Sequence, residues 1–458
     1  MNATLAMTAP PTLSWSPDDP AFWQARGKRV AHRNLWISVP NLLVAFAVWT
    51  VWSVVVVALP AAGFRLSTTQ LFLLVAVPGL SGALLRLVYG LVAPRVEARR
   101  FTVFSTLILL LPAIGIGIAV QYPETPYGML LALAALCGFG GASFASSMTF
   151  LSVLFPRWEV GNALSLNSGL GNLGVSLALF MMPIVITLSL FGAWSGGPQT
   201  VQWLGESHPM WLQNAGLVWV PLILLCALLA RYGMYRVPIP KTPARGERIF
   251  AQRQYWALSL LYLGTFGSFI GHAVAFPLLL AIQFPEVDVL QYVFLGPLLG
   301  ALARPLGGWL ADRHGGGRVT LFAFVTMALA LLLCLAFLPG PAQPGSFPGV
   351  MFAFLVLFAA TGMGSGSIFF MVPGLDNRDT PVPLARRSLR VAGQAVGMVS
   401  AVGALGAAAV PMVLALALTV SDGVQAAFLV FLLFYLGCMV LTRCCDVRMR
   451  TEDHGETR

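Results

Sequence analysis

The fragments GALLRLVYG (82–90) and GALARPLGG (300–308) each place one arginine in the middle of a long apolar stretch. Arg86 and Arg304 thus occupy matching points of two similar segments. An ionised guanidinium at membrane depth costs at least about 2.5–3.5 kcal/mol and does not lose its proton, so it needs an anionic partner there. Neither fragment contains an acidic residue. We therefore expect the missing partner to be a small anion that the protein carries.

Apolar stretches account for most of the chain. Of its 458 residues, 58% are hydrophobic and 10% are charged, and the mean hydropathy is +0.81, far from the values of a soluble globular protein. A membrane-spanning helix needs roughly 20 apolar residues. The sequence therefore predicts an all-α membrane protein with twelve transmembrane helices. The predicted spans are 35–60, 69–93, 101–121, 127–154, 161–190, 211–232, 254–283, 289–311, 319–338, 348–374, 391–420 and 423–442.

Positive charge is concentrated in alternate loops. The chain has 27 Lys and Arg against 17 Asp and Glu, a net charge of +10. In a soluble protein that balance would suggest nucleic-acid binding, but here 24 of the basic residues lie in the terminal segments, in alternate loops or at the span ends beside them. Only Arg65 lies in the other loops. Because positive loops stay in the cytoplasm, we expect cytoplasmic termini, a multi-pass location in the cytoplasmic (inner) membrane and no nucleic-acid partner.

A polar segment divides the spans into two sets of six. Residues 233–253 form the one extended basic, proline-containing stretch between spans, and they follow the sixth span. Arg86 and Arg304 fall in the second span of each set. Two repeated six-helix bundles with a site between them at mid-depth resemble the major facilitator superfamily. The predicted domains are a cytoplasmic tail (1–34), an N-terminal bundle (35–232), a cytoplasmic linker (233–253), a C-terminal bundle (254–443) and a cytoplasmic tail (444–458).

A loop motif supports this resemblance. GGWLADRHGGGR (307–318), between the eighth and ninth spans, resembles the cytoplasmic GxxxDRxGRR motif of that superfamily. The Asp312 carboxylate can pair with an arginine and with the N-terminus of a neighbouring helix, so we predict that Asp312 and Arg313 form a gate that opens when the bundles move. The first-half segment GLVAPRVEARR (90–100) has Pro94 at the acidic position, so this gate should be one-sided. A solvated turn without a gating role is the alternative.

The arginine pair favours a planar oxyanion. A guanidinium is planar and offers parallel donors, which fit a planar oxyanion better than the point charge of lysine does. Nitrate, nitrite and carboxylates meet this requirement. Phosphate esters usually need further cations, and within the spans the sequence has no lysine and one histidine, His272. The alternative interpretation of Arg86 and Arg304, snorkelling to the membrane surface or helix capping, does not fit their mid-span and equivalent positions.

Two spans at matching places in the halves are rich in small residues. The fifth contains SLNSGLGNLGVS (165–176) and the eleventh contains GQAVGMVSAVGALGAAAVP (393–411). In the fifth, three serines and Asn172 share one helical stripe, and an asparagine amide can donate to an oxyanion without adding charge. For this stripe alone, a tightly packed helix interface is the favoured interpretation. We expect both spans to bend or slide as the bundles move, through Gly169, Gly171, Gly174, Gly397 and Ser400.

Five strings carry a closer resemblance: CGFGGASFASSM (137–148), NSGLGNLGVS (167–176), YLGTFGSFIG (262–271), GPLLGALARPLGGWLADR (296–313) and GMGSGSIFF (362–370). They are similar to those of the nitrate/nitrite porters, specifically NarK-type nitrate/nitrite exchangers, and the fifth-span string resembles the signature of that family. The eleventh-span copy is looser, with alanines at 407 and 408. The resemblance implies roles in anion binding for six residues and a supporting role for a seventh. Arg86 and Arg304 would bind the anion, Asn172 and Tyr262 would supply polar contacts, Phe144 and Phe266 would lie on either side, and Asn167 would support them.

The distribution of titratable groups favours exchange over proton-coupled transport. All 17 acidic residues lie outside the spans or at their ends, and His272 is the only obvious titratable group at membrane depth, whereas a proton symporter generally needs one there. Two permanent cations should also make the return of an unloaded site slow. We therefore expect nitrate/nitrite antiport by rocker-switch alternating access, with a proton symporter and an organic-anion exchanger of the same fold as alternatives. We expect no enzymatic activity, no metal and no cofactor, and a monomer surrounded by membrane lipid.

Overall fold

Helices dominate the computed structural model, which describes residues 15–156, 158–192, 196–203, 206–237, 252–340, 344–371, 389–421 and 423–455. Within these residues, twelve helices are long and apolar enough to cross a membrane. The number and order agree with the hydropathy pattern. They are α1 (Pro20–Ala58), α2 (Thr68–Arg95), α3 (Ala98–Ala119), α4 (Tyr127–Leu154), α5 (Val160–Val185), α6 (Asn214–Gly233), α7 (Arg253–Gln283), α8 (Val289–His314), α9 (Gly316–Phe337), α10 (Phe347–Ile368), α11 (Gly393–Val420) and α12 (Gln425–Cys444).

Helix α1 begins inside the segment predicted as an N-terminal tail. It starts at Pro20 rather than near residue 35, and the preceding residue, Asp19, caps it by accepting a hydrogen bond from the Ala21 N–H. The indole of Trp23 donates to Oε1 of Glu159 at 3.2 Å. This contact holds the start of α1 against the connection between α4 and α5. The helical backbone of α12 likewise continues to Gly455.

The predicted linker is described only at its two ends, since residues 238–251 lie outside the described ranges. Its first residues are attached to α1. The backbone N–H of Tyr235 donates to Oδ1 of Asn34 at 2.8 Å, and Nδ2 of Asn34 donates to the Tyr235 carbonyl at 3.2 Å. The chain that leaves α6 is therefore fixed to the first half of the molecule.

Helix α7 contains a π-helical turn at Leu263–Gly267. In a π turn a backbone N–H donates to the carbonyl five residues earlier instead of four. The extra residue changes the direction of the side chains around the turn, and such turns are frequent at functional sites. Tyr262 directly precedes this turn and Phe266 lies within it. The sequence pattern did not predict the turn, although the family resemblance implied site roles for both residues.

A short hairpin is the one β-sheet among the described residues. Strands β1 (Gln199–Trp203) and β2 (Glu206–Met210) pair antiparallel between α5 and α6, with Val201 opposite His208. Val201 is buried whereas Thr200 is exposed, the alternation that a half-covered strand requires. The hairpin lies outside the predicted spans, so the membrane part of the fold is all-α as predicted.

Two equivalent pairs of helices join the halves: α2 contacts α11, and α8 contacts α5. Small residues make both contacts. A Cβ added to Gly90 would lie 2.5 Å from the carbonyl oxygen of Gly393, and one added to Gly169 would lie 3.0 Å from the ring of Pro305. Because glycine has no Cβ, the helix backbones approach closely at these points. The two arginine-bearing helices, α2 and α8, are thus held against the opposite half.

Candidate anion-binding site

The structure brings the two predicted arginines into one aromatic enclosure. Arg86 and Arg304 are each 0% exposed. The Cζ atom of Arg86 lies 4.8 Å from the ring centroid of Phe144 and 5.2 Å from that of Phe266, and the corresponding distances for Arg304 are 5.8 and 5.3 Å. All four distances are within the range of a cation–π interaction. One cation from each half therefore lies over the same two rings.

Arg86 is held by main-chain carbonyls. Its Nε donates to the carbonyl of Gly141 on α4 at 2.9 Å, and its Nη1 donates to the carbonyl of Ser400 on α11 at 2.8 Å. A guanidinium has five N–H donors, so these two bonds leave three. Nη2 is buried and makes no hydrogen bond within the described part of the chain. Carbonyl dipoles satisfy donors but carry no net charge, so Arg86 can still bind an anion.

Arg304 is held by a phenol instead. Its Nη2 donates to the hydroxyl of Tyr262 at 2.7 Å, and its Cζ lies 5.7 Å from the centroid of the same ring. The Tyr262 ring in turn stacks on Phe266, with centroids 5.0 Å apart and planes 9° from parallel. The π turn of α7 therefore places the partner of Arg304 and one wall of the enclosure side by side.

The two phenylalanine rings face each other across the halves. The centroids of Phe144 on α4 and Phe266 on α7 are 6.1 Å apart, and their planes are 20° from parallel. Phe46 on α1 continues the stack behind Phe144 at 6.1 Å. Van der Waals contact of one flat group with two rings needs two layers of about 3.5–4.0 Å, or about 7–8 Å between the rings. The rings would have to separate by roughly 1–2 Å to hold a planar anion between them.

The two predicted asparagines are buried in α5 and differ in their contacts. Nδ2 of Asn167 donates to Oγ of Ser147 on α4 at 2.8 Å, which ties it to the neighbouring helix. Oδ1 of Asn167 and Oδ1 of Asn172 are buried and have no hydrogen-bond partner among the described residues. Both amides therefore have an acceptor oxygen that no described protein group uses. Their roles stay predictions.

The small residues predicted to bend or slide fall into two groups. Gly169 packs on Pro305 of α8, and a Cβ added to Gly397 would lie 3.4 Å from the Arg86 carbonyl of α2, so these two lie between the halves. Gly171 and Gly174 instead pack on α1, against Leu42 and Leu43, inside the first half. Ser400 contributes its carbonyl to Arg86.

Comparison with known proteins agrees with this geometry. A sequence model of the Major Facilitator Superfamily matches residues 42–382. The chain is 43% identical over 441 residues to the nitrate/nitrite transporter NarU of Salmonella typhimurium, covering 93% of this chain and 94% of that protein. It is 43% identical over 364 residues to the probable nitrate/nitrite antiporter NarK2 of Thermus thermophilus, covering 78% and 81%. The chain belongs to the nitrate/nitrite transporter family of the major facilitator superfamily.

Solved structures share the fold of this transporter at low sequence identity. The human organic anion transporter MFSD10 superposes with a TM-score of 0.62 at 16% identity, covering 91% of this chain and 99% of that one. A bacterial homolog of the human lysosomal transporter Spinster, in an inward-facing and occupied conformation, gives a TM-score of 0.63 at 16% identity, covering 92% and 96%. At this identity the likeness shows the fold alone.

The predicted gate of the transporter is exposed in this structure. Arg313 stacks on Trp309, with its Cζ 4.0 Å from the ring centroid, and Asp312 makes no ion pair with any residue that the structure describes. The ion pairs that the described residues make at this face belong to the first half instead. Oε1 of Glu97 lies 3.2 Å from Nε of Arg236, which follows α6. An acid three residues after Pro94 thus links the first-half loop to the end of that bundle.

His272 of the transporter lies inside the second bundle. Its Nδ1 is 2.8 Å from the carbonyl of Ser268, and its ring meets Phe354 and Phe431 edge-on at centroid distances of 5.9 and 5.3 Å. These neighbours belong to α10 and α12, so the imidazole packs in the bundle rather than on the arginine pair. The structure thus places this histidine in apolar surroundings.

Sequence reasoning missed one side chain and two backbone groups of the site. The ring of Trp49 on α1 lies 5.2 Å from the Cζ of Arg86. The carbonyls of Gly141 and Ser400 hold the same arginine. A backbone acceptor has no residue-type signal, but the adjacent glycines at 140 and 141 could have indicated a close approach of another group to α4.

Proposed function

We propose that this transporter exchanges nitrate for nitrite across the cytoplasmic membrane, by alternating access of its two bundles and with both termini in the cytoplasm. The observation that carries the proposal is the meeting of Arg86 and Arg304, one from each half, over the same pair of rings. An anion that binds both cations joins the halves. The relatives named as nitrate/nitrite transporters and as a probable antiporter support this substrate class and this mode.

The enclosure favours a thin, flat anion. Phe144 and Phe266 belong to different halves, so the distance between their rings depends on how closely the halves approach. Nitrate and nitrite are one atom thick, and they need the rings to open by only about 1–2 Å. A tetrahedral oxyanion needs more room than that. The N–H groups of Arg86 that donate to no described residue can also donate hydrogen bonds to two oxygens of a planar anion at once.

The surroundings of the arginines favour antiport over proton symport. Among the acidic residues that the structure describes, only Asp312 lies within the bounds of a spanning helix, two residues before the end of α8 at His314. His272 packs among phenylalanine rings of the second bundle. Arg86 donates its hydrogen bonds to uncharged carbonyls, so a transported anion would balance its charge, and the bundles should change conformation readily only with an anion bound.

Counterflow in proteoliposomes tests the proposal. Vesicles that contain the purified full chain are loaded with nitrite or with chloride, and the uptake of labelled nitrate is followed. We expect uptake to be much faster into the nitrite-loaded vesicles, with no change in lumenal pH. Equal uptake accompanied by acidification of the lumen would replace antiport by proton symport. Abolition of nitrate uptake by excess organic anion would favour an organic-anion exchanger.

A matched pair of variants links the counterflow to the site. Arg86→Lys keeps the charge but removes the planar fork, whereas Arg65→Lys makes the same change at an exposed position in a loop. We expect exchange to be lost in Arg86→Lys and retained in Arg65→Lys. Retention of exchange in both variants would refute the role assigned to the buried guanidinium.

A further inference from the structure

We propose that Trp49 is a positioning residue that fixes the Arg86 guanidinium and thereby sets the affinity of the site for its anion. The side chain is almost fully buried in α1, and its ring lies 5.2 Å from the Cζ of Arg86. Among aromatic side chains, indole is the best partner of a cation, and the attraction grows where water is excluded. The identity of the anion rests on the proposed function, whereas the positioning of Arg86 rests on the contacts below.

The indole fills a slot between α2 and α4 that glycines create. A Cβ added to Gly141 would lie 2.6 Å from Cε2 of Trp49, and one added to Gly82 would lie 3.0 Å from its Nε1. Gly82 lies one turn before Arg86 on the same face of α2, and the carbonyl of Gly141 accepts from Nε of Arg86. The ring therefore touches both the helix turn that carries the arginine and the residue that holds its Nε.

A hydrogen bond fixes the orientation of the ring in this slot. Nε1 of Trp49 donates to the carbonyl of Pro78 at 2.8 Å. Pro78 lies in α2, two turns before Arg86, so the bond attaches the indole to the same helix as the arginine. A buried indole N–H is expected to find such a partner. With the N–H fixed, the ring face cannot turn away from the guanidinium.

The second half has a related slot with a different occupant. Gly300 lies four residues before Arg304, and a Cβ added to it would lie 2.7 Å from the ring of Phe269 on α7. Each half thus packs an aromatic ring of its first helix against the glycine that precedes its arginine by one turn. Arg304 donates its hydrogen bond to the Tyr262 hydroxyl. The indole and the two carbonyls therefore fix the guanidinium of Arg86, as the phenol fixes that of Arg304.

Anion affinity distinguishes positioning from mere filling of space. Trp49→Leu removes the ring, and Trp49→Phe keeps a weaker aromatic face. Trp52→Leu is the matched control, because Trp52 is an equally buried tryptophan of α1 and makes no ring contact with Arg86 in the described part of the chain. Calorimetry on the purified full chain gives the Kd for nitrate, nitrite, acetate and phosphate, and thermal melting gives the stability.

We expect the Kd for nitrate to rise by about tenfold in Trp49→Leu and by less in Trp49→Phe. Trp52→Leu should lower the melting temperature by a similar amount and leave the Kd unchanged. A Kd that is unchanged in Trp49→Leu, or that rises equally in Trp52→Leu, overturns the proposal. If the wild type binds acetate or phosphate but neither nitrate nor nitrite, the proposed function fails, and the same comparison of variants with the anion that binds decides the role of Trp49.

Discussion

Substitution of Gly90 by alanine is expected to hold the halves apart at the contact of α2 with α11. The added methyl carbon would lie 2.5 Å from the carbonyl oxygen of Gly393 and 3.1 Å from Cα of Gly397, whereas ordinary van der Waals contact begins at 3.4 Å. These neighbours are backbone atoms, so they cannot turn aside as a flexible side chain can. The helices would have to separate by about 1 Å to relieve the contact.

The cost falls on only one of the conformations that an alternating carrier visits. Overpacking of this kind typically costs about 1–3 kcal/mol, and about 2 kcal/mol corresponds to a roughly 30-fold shift of the equilibrium away from the closed contact. Because each transport cycle must close this end of α2 on α11, the maximal exchange rate should fall by a similar factor. Gly437→Ala in α12 is the control, since no atom lies within 4 Å of its added Cβ.

A buried reporter residue measures the separation directly. Cγ2 of Thr149 on α4 lies 3.3 Å from the Cβ position of Gly393, and Thr149 is fully buried. In a background with Cys444 and Cys445 replaced by serine, Thr149→Cys is labelled with a water-soluble maleimide. We expect labelling to be about tenfold faster or more with Gly90→Ala, and unchanged with Gly437→Ala. Wild-type labelling together with wild-type exchange in Gly90→Ala would refute the reasoning.

Three further predictions concern the site itself. Arg86→Lys and Arg304→Lys should each lose most nitrite-driven nitrate uptake, because the planar fork is lost; near wild-type uptake in either argues against two-point recognition. Tyr262→Phe removes the acceptor of Arg304 Nη2. Since a hydrogen bond to a charged group contributes about 1.5–3 kcal/mol, the Kd for nitrate measured by calorimetry should rise roughly 10–150-fold. A rise below about twofold would show that the hydroxyl is dispensable. His272→Gln should keep the exchange rate and its pH profile, and a pH-dependent loss of uptake would assign this histidine a proton-carrying role.

Hydropathy predicted the helices well because lipid contact imposes a long apolar run on each of them. The fourth predicted span, 127–154, coincides with Tyr127–Leu154, and the third, 101–121, corresponds to Ala98–Ala119. The repeat of GALLRLVYG in the second half also indicated that Arg86 and Arg304 occupy equivalent helices. In a two-fold repeat with a site between the halves, equivalent mid-span residues of this kind meet at that site.

The remaining features depend on information that residue types do not carry. Arg86 is held by the carbonyls of Gly141 and Ser400, and every residue has a carbonyl. The π turn at Leu263–Gly267 is a choice of hydrogen-bond register that apolar periodicity does not reveal. The ion pair of Glu97 with Arg236 joins two loops that are far apart in the sequence. It depends on the packing of α3 against α6, which the sequence pattern does not reveal.

Closure of the halves and capture of the anion use the same guanidinium. Nη1 of Arg86 donates across the interface to the carbonyl of Ser400, and Gly397 packs on the main-chain carbonyl of the same arginine. When α11 moves away from α2, that hydrogen bond breaks and leaves a buried donor on a charged group, which is costly unless a new acceptor replaces it. A bound oxyanion can replace the Ser400 carbonyl and also balances the charge, which a carbonyl does not. Opening with an anion bound therefore avoids two costs, the unsatisfied donor and the unbalanced charge, that opening without one incurs, and this difference supports the proposed exchange from the contacts of a single residue.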